Sequence, residues 1–120
     1  MEEKKSLLKN NEKKINHRLT LRKHFAYIYR KGKRVSSKYF TLYTVQSKFK
    51  VYKIGFSISK KLGKANKRNL LKRRLREITR LADYIKPYNN YVLMAREGVE
   101  VLTFDELKKQ VEYIFSKQVL

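Results

Sequence analysis

The stretch KKLGKANKRNLLKRRLRE, residues 60–77, combines an apolar pattern with a dense basic one. The apolar pattern recurs at helical spacing and continues past the stretch, at Leu71, Leu75, Ile78 and Ala82. This spacing predicts a helix over residues 64–84 that turns one apolar stripe toward a core. Pro87 should end the helical pattern after Ile85, because proline cannot continue a helix.

The basic residues predict a cationic ridge on the same helix. One row consists of Arg68, Lys72 and Arg76, and a second row beside it consists of Asn69, Arg73 and Arg80. Both rows are expected almost opposite the apolar stripe. Like charges four residues apart destabilise an isolated helix by about 0.2–0.5 kcal/mol per pair, and a merely solvated face usually mixes Glu with Lys. The ridge therefore indicates phosphate binding, and Asn69 adds a directed hydrogen bond or a structural tie.

The charge of the whole chain also indicates a polyanionic partner. Its 120 residues carry a net charge of +21, with 42% hydrophobic residues and a mean hydropathy of −0.68, which fits one small domain with a thin core. Residues 13–76 contain twenty-two basic residues and no acidic one, whereas residues 77–120 contain six basic and seven acidic residues. The first part is expected to form the anion-binding surface and the second a scaffold.

The sequence before the motif predicts one helix and three strands. Phe25, Ile28 and Tyr29 share one helical face before Gly32, which predicts a helix over residues 22–31. Residues 35–37 predict a minor strand. Residues 40–45 and 52–58 are rich in aromatic and β-branched residues and predict two strands that pair antiparallel. Residues 1–18 have no sustained period and are expected to be a flexible basic extension.

The sequence after the motif predicts a strand and a final helix. Residues 91–95 form an unbroken apolar run, which is typical of a strand covered on both faces. Thr103 and Glu106 form a capping box that begins a helix reaching about Lys117. Its inward residues should be Phe104, Leu107, Val111, Ile114 and Phe115. The predicted fold is a single α+β domain over residues 19–120 with the element order α-β-β-β-α-β-α.

The chain offers few groups for hydrolysis. It has no Cys, and its two histidines, His17 and His24, are expected on the exposed basic surface. Asp105 and Glu106 serve the N-terminus of the last helix, so a carboxylate site for two metal ions is not predicted. No apolar run approaches the roughly 18–20 residues that span a bilayer. The protein is expected to be soluble and intracellular.

Aromatic residues lie among the basic ones and suggest binding to single-stranded RNA. Phe25 and Tyr29 stand one helical turn apart, and Tyr39, Phe40 and Tyr43 lie on the strand that follows. A base stacked on such a ring gains about 1–3 kcal/mol. The alternative is a core role, because most rings of a small domain are buried. Strand alternation places Phe40 and Tyr43 on opposite faces, so the rings cannot all share one role.

From Leu19 to about Lys117, the chain resembles the bacterial ribonuclease P protein family. The matching segments follow the family's order and spacing: Phe25-x-x-x-Tyr29-x-x-Gly32, Phe40-Thr-Leu-Tyr43-Thr, Gly55-Phe-Ser-Ile-Ser-Lys-Lys61, Leu62-Gly-Lys-Ala, Lys67-Arg68-Asn69-x-x-Lys72-Arg73-x-x-Arg76-Glu77 and Tyr91-Val-Leu-Met-Ala-Arg96. The resemblance implies a sandwich with a four-stranded mixed sheet, the ribonuclease P protein-like fold.

The resemblance also implies a function in removing the 5′ leader of precursor tRNA as a subunit of the ribonuclease P endoribonuclease. The catalytic RNA and precursor tRNA would be the partners, with no membrane, in the cytoplasm. Mg²⁺ would be held with the RNA subunit, and no cofactor by the protein alone. The leader cleft would be lined by Phe25, Tyr29 and Tyr43. The RNA-binding motif would comprise Lys60, Lys61, Arg68, Asn69, Lys72, Arg73 and Arg76.

Two other classes of function compete with this interpretation. A basic ribosomal or RNA-chaperone protein with no role in cleavage would have the same composition and element order, and only the Arg68-Asn69 motif together with Phe25 and Tyr29 separates the two. A cationic protein of the membrane surface needs an apolar helix face that is free to enter lipid. The motif helix is predicted to use its apolar stripe for the core, which disfavours that class.

Overall fold

The structure is a computed structural model that describes residues 16–118. Within this range, the elements follow in the order α1 (Arg22–Lys31), β1 (Lys33–Ser36), β2 (Phe40–Gln46), β3 (Lys53–Ser57), α2 (Ala65–Leu81), β4 (Asn89–Ala95) and α3 (Phe104–Ser116). Short 3₁₀ helices lie at Lys60–Leu62 and Val99–Val101. The predicted order α-β-β-β-α-β-α is confirmed, and so are the bounds of α1.

The four strands form one mixed sheet in the order β1-β2-β4-β3. β4 pairs antiparallel with β2 and parallel with β3. The predicted antiparallel pair of residues 40–45 with residues 52–58 is therefore wrong, because β4 lies between these two strands. β4 is the strand that is apolar along both faces, so a central position buries more of its surface than an edge position would.

One face of the sheet, here called the closed face, carries the main core. Phe40, Leu42, Tyr91 and Leu93 are fully buried there. Leu75 of α2 and Val111 of α3 pack in the same cluster and are also fully buried. The predicted stripes of α2 and α3 are thus confirmed, with two exceptions: Ala82 lies after the end of α2 and is only half-buried, and Phe104 at the start of α3 is 38% exposed. The capping box joins Thr103 and Glu106 as predicted.

Helix α2 ends at Leu81, before the predicted end at Tyr84. Ala82 already has an extended backbone, with ψ of 145°, and its N–H donates to the carbonyl of Thr79. Leaving the helix lets Tyr84 pack on the core, where its ring lies 5.5 Å from that of Phe115. Burial, together with the charges of Glu112 and Asp83, raises the pKa of Tyr84 to about 12.

Among residues 16–118, the opposite face, here called the open face, is covered by α1 and by Leu19 just before it. Its buried cluster consists of Leu19, Ile28 and Val92. Phe25, Tyr43 and Val45 pack against this cluster and are half-buried. Because one short helix cannot cover four strands, part of this face stays accessible.

The segment before α1 lies along the free edge of β3. The N–H of Ile54 donates to the carbonyl of His17 at 2.7 Å, and the N–H of Leu19 donates to the carbonyl of Ile54 at 3.0 Å. His17 is half-buried, so its predicted full exposure is wrong: its ring stacks on Tyr52 with centroids 3.8 Å apart. His24 is exposed, as predicted. The folded part thus begins before Leu19, while residues 1–15 of the predicted extension lie outside the described residues.

Between residues 16 and 118, none of the helices has the length and apolar character needed to cross a membrane.

Candidate RNA interface

Aromatic side chains from α1 and β2 meet on the open face and form what we call the aromatic cleft, of Phe25, Tyr29 and Tyr43. The rings of Tyr29 and Tyr43 meet edge to face, with centroids 4.9 Å apart and an interplanar angle of 83°. Tyr29 is 37% exposed. Phe25 and Tyr43 are half-buried beside Ile28 and Val92. The structure therefore brings the three predicted residues together, with their rings only partly used by the core.

A row of four residues across the sheet forms the floor of this cleft. The strand registers align Arg34, Tyr43, Val92 and Gly55 from β1 to β3. The ring of Phe25 sits so close to Gly55 that a Cβ added there would lie 2.3 Å from its Cζ atom. The position of Phe25 therefore requires glycine at residue 55. No role was predicted for Gly55 from the sequence, although a glycine inside an alternating strand can mark a close approach of this kind.

The two basic rows of α2 differ in their surroundings. Arg68, Lys72 and Arg76 are half-buried, whereas Asn69, Arg73 and Arg80 are exposed. The expectation that both rows lie opposite the apolar stripe is wrong for the first row. At 100° per residue, Arg68, Lys72 and Arg76 flank the stripe, so their aliphatic stems pack at its border. Arg80 of the second row is paired with Glu77, at 2.8 Å from Nη2 to Oε2.

The beginning of the motif is a structured turn. Lys60 and Lys61 are exposed on the 3₁₀ helix, which Ser59 caps by accepting a hydrogen bond from the N–H of Lys61. Gly63 follows with φ of 129°, a conformation that side chains rarely adopt. The Nε–H of Arg68 donates to the carbonyl of Gly63 at 3.0 Å. Arg68 therefore fixes this turn as well as presenting positive charge.

A groove of about 250 Å³ joins the basic helix to the aromatic cleft, and we call it the junction groove. Phe25 and Gly55 line it from the open face, and Lys72 and Arg76 line it from α2. Burial, followed by the charge of nearby Arg18, lowers the pKa of the Arg76 guanidinium. Both effects disfavour its charged form, and a bound phosphate would offset them.

The residues described here do not fit a metal site of the protein's own. Across residues 16–118, no three His, Cys, Asp or Glu side chains come together in a group that could hold a metal ion. The surface is instead supplied with hydrogen-bond donors and positive charge, which suit phosphates rather than metal ions.

A small α+β domain with a basic helix beside an open aromatic sheet face is a nucleic-acid-binding domain by its chemistry. A family model described as Ribonuclease P matches residues 14–119. The chain therefore belongs to the ribonuclease P protein family. It is accordingly a subunit of an endoribonuclease complex that acts in tRNA 5′-end maturation, with the ribonuclease P RNA and substrate RNA as partners.

Individual relatives agree with this membership. A ribonuclease P protein component from an Exiguobacterium species is 34% identical over 104 residues, covering 87% of this chain and 91% of the relative. One from Streptococcus agalactiae is 35% identical over 106 residues, covering 84% of this chain and 93% of the relative.

Solved structures of similar proteins share the fold. The Staphylococcus aureus RNase P protein is 28% identical with a TM-score of 0.80, covering 86% of this chain and 95% of that one. The RNase P protein from Thermotoga maritima is 26% identical with a TM-score of 0.78, covering 86% of this chain and 98% of that one. The predicted ribonuclease P protein-like α+β fold is confirmed.

Proposed function

We propose that this chain supplies ribonuclease P with two joined RNA-binding surfaces and with no catalytic group. The basic surface binds the ribonuclease P RNA through Lys60, Lys61, Arg68, Asn69, Lys72, Arg73 and Arg76. The aromatic cleft holds the 5′ leader of precursor tRNA as an extended single strand.

The junction groove is the observation that carries this proposal. Phe25 belongs to the aromatic cleft and Arg76 to the basic motif, yet both line one groove of about 250 Å³. A strand in the cleft can therefore stack its bases on the rings while its phosphates reach Lys72 and Arg76. A leader held there is fixed relative to the RNA subunit bound on α2.

The side chains that are present suit this chain to binding RNA, and they leave catalysis to the RNA subunit. Tyr29 and Tyr43 offer π faces and one hydroxyl each, which bind and orient a strand. The lysines and arginines neutralise phosphates and release counterions. Mg²⁺ held by the RNA subunit would activate the attacking water and stabilise the leaving oxygen. The chain then acts by positioning the substrate.

The test compares precursor tRNA with mature tRNA, which has no leader. Holoenzyme reconstituted with Tyr29→Ala should bind precursor tRNA about 5- to 150-fold more weakly, the equivalent of losing about 1–3 kcal/mol of base stacking. Its affinity for mature tRNA should not change. Equilibrium binding of both tRNAs to the same holoenzyme preparation measures the difference.

Tyr113→Ala is the matched control, because Tyr113 is a half-exposed tyrosine on α3, away from the open face. This variant should bind both tRNAs normally. Equal losses for precursor and mature tRNA in the Tyr29→Ala holoenzyme would contradict the leader assignment and would leave the family membership intact.

A further inference from the structure

A second groove lies on the other flank of α1, away from the aromatic cleft. It consists of two adjoining cavities, of about 490 and 430 Å³, between α1 and the end of the sheet where β2 finishes. Tyr27, Val45 and Gln46 line both cavities. The two cavities therefore adjoin at these residues, and together they form what is here called the distal groove, which extends from Lys33 past Tyr27 to Phe49.

Exposed aromatic rings stand along this groove. Tyr27 is 47% exposed and Phe49 is 66% exposed. Each ring has a cation beside it: the guanidinium carbon of Arg30 lies 5.7 Å from the Tyr27 centroid, and Nζ of Lys48 lies 5.8 Å from the Phe49 centroid. A ring with an adjacent cation can stack a base and hold the phosphate of the same nucleotide.

The loop that displays Phe49 is held by several hydrogen bonds. The N–H of Phe49 donates to Oγ of Ser47 at 3.1 Å. The N–H of Ser47 donates to the carbonyl of Tyr88 at 2.9 Å, and the N–H of Tyr88 donates to the carbonyl of Lys50 at 3.2 Å. In this arrangement the backbone of Tyr88 adopts a φ of 63°, which is unfavourable for a bulky residue. The phenylalanine is thus presented to solvent from a fixed loop, which lowers the entropy cost of binding.

The charge around the groove is positive throughout. Lys31 and Lys33 line one cavity, and Arg18 and Lys53 line the other. Of the residues that the structure describes, none that lines either cavity is acidic. A second copy of this chain would bring the same positive charges and be repelled, whereas a polyanion is attracted.

We propose that the distal groove is a second binding site for single-stranded RNA, in which unpaired bases stack on Tyr27 and Phe49. Phosphates of the strand contact the flanking lysines. The site lies on the flank of α1 opposite the aromatic cleft, and Phe25, Tyr29 and Tyr43 are not among the residues that line it. Its second cavity shares Arg18, Leu19 and Thr20 with the junction groove.

The chain contains no tryptophan, which provides a direct probe of stacking. In Phe49→Trp, a single indole reports from the groove. In Tyr113→Trp, a single indole reports from an exposed ring that also has a neighbouring cation, with Nζ of Lys117 at 5.6 Å from the Tyr113 centroid. The probe ligand is an oligouridylate of about ten nucleotides, a length that one such site can hold.

The oligouridylate should quench the Phe49→Trp fluorescence saturably and leave the Tyr113→Trp fluorescence unchanged. Adding Tyr27→Ala to Phe49→Trp should weaken this binding about 5- to 150-fold, and Tyr27→Phe should restore it because the ring is retained. Adding Tyr29→Ala should leave the quenching unchanged, since Tyr29 belongs to the aromatic cleft.

Three results would overturn the proposal. The first is no quenching at oligouridylate concentrations where fluorescence anisotropy of a labelled strand detects binding to the same variant. The second is quenching that Tyr29→Ala abolishes, which would assign the RNA to the aromatic cleft. The third is quenching by vesicles containing phosphatidylserine but not by RNA, which would assign the groove to a membrane surface.

Discussion

The two faces of the sheet are built from alternating residues of the same strands, and they differ in how completely they are covered. On the closed face, Phe40, Leu42 and Leu93 have no solvent exposure beneath two helices. On the open face, one helix buries Ile28 and Val92 and leaves Tyr43 half-buried. Stability is thus concentrated on one face, and aromatic surface stays accessible on the other.

This difference explains how so small a domain can both fold and bind RNA. An aromatic ring that is fully packed cannot stack on a base, and one that is fully free has no fixed position. The rings of the aromatic cleft lie between these extremes, since the rings of Tyr29 and Tyr43 pack edge to face and Tyr29 stays 37% exposed. Burial of apolar side chains on the closed face stabilises the domain, and the open face can therefore remain only partly covered.

The largest expected effect comes from damaging the closed face. Leu75 is fully buried, so Leu75→Ala should lower the free energy of unfolding by about 2–5 kcal/mol by leaving a cavity. Tyr29→Ala on the open face should lower it by less than about 1 kcal/mol. Urea denaturation of both variants measures the two values. Equal losses would mean that Tyr29 is a core residue and that the two faces do not differ as described.

The closed face could be predicted from the sequence because its pattern is local. The spacing of Leu71, Leu75 and Ile78 specifies a helix and its buried side without any knowledge of the partner strands. The capping box of Thr103 and Glu106 is also a local pattern, and it is confirmed. The end of α2 was not predictable in this way, because Tyr84 leaves the helix to meet Phe115, which is distant in sequence.

The open face depends on contacts between distant residues, and several of these contacts were not predicted from the sequence. Nothing local indicates that β4 enters between β2 and β3, that His17 stacks on Tyr52, or that Gly55 faces Phe25. The aromatic residues were predicted to bind RNA because they lie among basic ones, and a family resemblance selected three of them as the leader cleft. Their juxtaposition is seen only in the fold. Their role in holding a leader remains a prediction.

A smaller effect is expected from Gly55→Ala, which tests the contact on which the open face depends. The new methyl group would overlap the ring of Phe25, and displacing this ring should cost about 1–3 kcal/mol of stability. The displaced ring should also weaken the binding of precursor tRNA. Thermal unfolding and tRNA binding of the same variant measure the two effects.

The double variant Gly55→Ala with Phe25→Ala identifies the cause. Since removing the ring removes the overlap, the double variant should be less destabilised than the sum of the two single variants. Simple additivity would mean that the methyl group disturbs the strand itself and that Phe25 is not held against Gly55.

The smallest expected effect distinguishes two arginines of α2 that were both assigned to the RNA-binding motif from the sequence. Arg73 is exposed, whereas Arg68 is half-buried and donates to the carbonyl of Gly63. Each replacement by Ala should remove about one phosphate contact and lower the salt dependence of binding to the ribonuclease P RNA by about one unit of slope. Arg68→Ala should in addition lose about 0.5–1.5 kcal/mol of stability with its hydrogen bond, and Arg73→Ala should not. Titrations at several salt concentrations, combined with urea denaturation, separate the two effects. If both variants lose the same stability, the hydrogen bond of Arg68 does not hold the turn, and the two rows differ only in exposure.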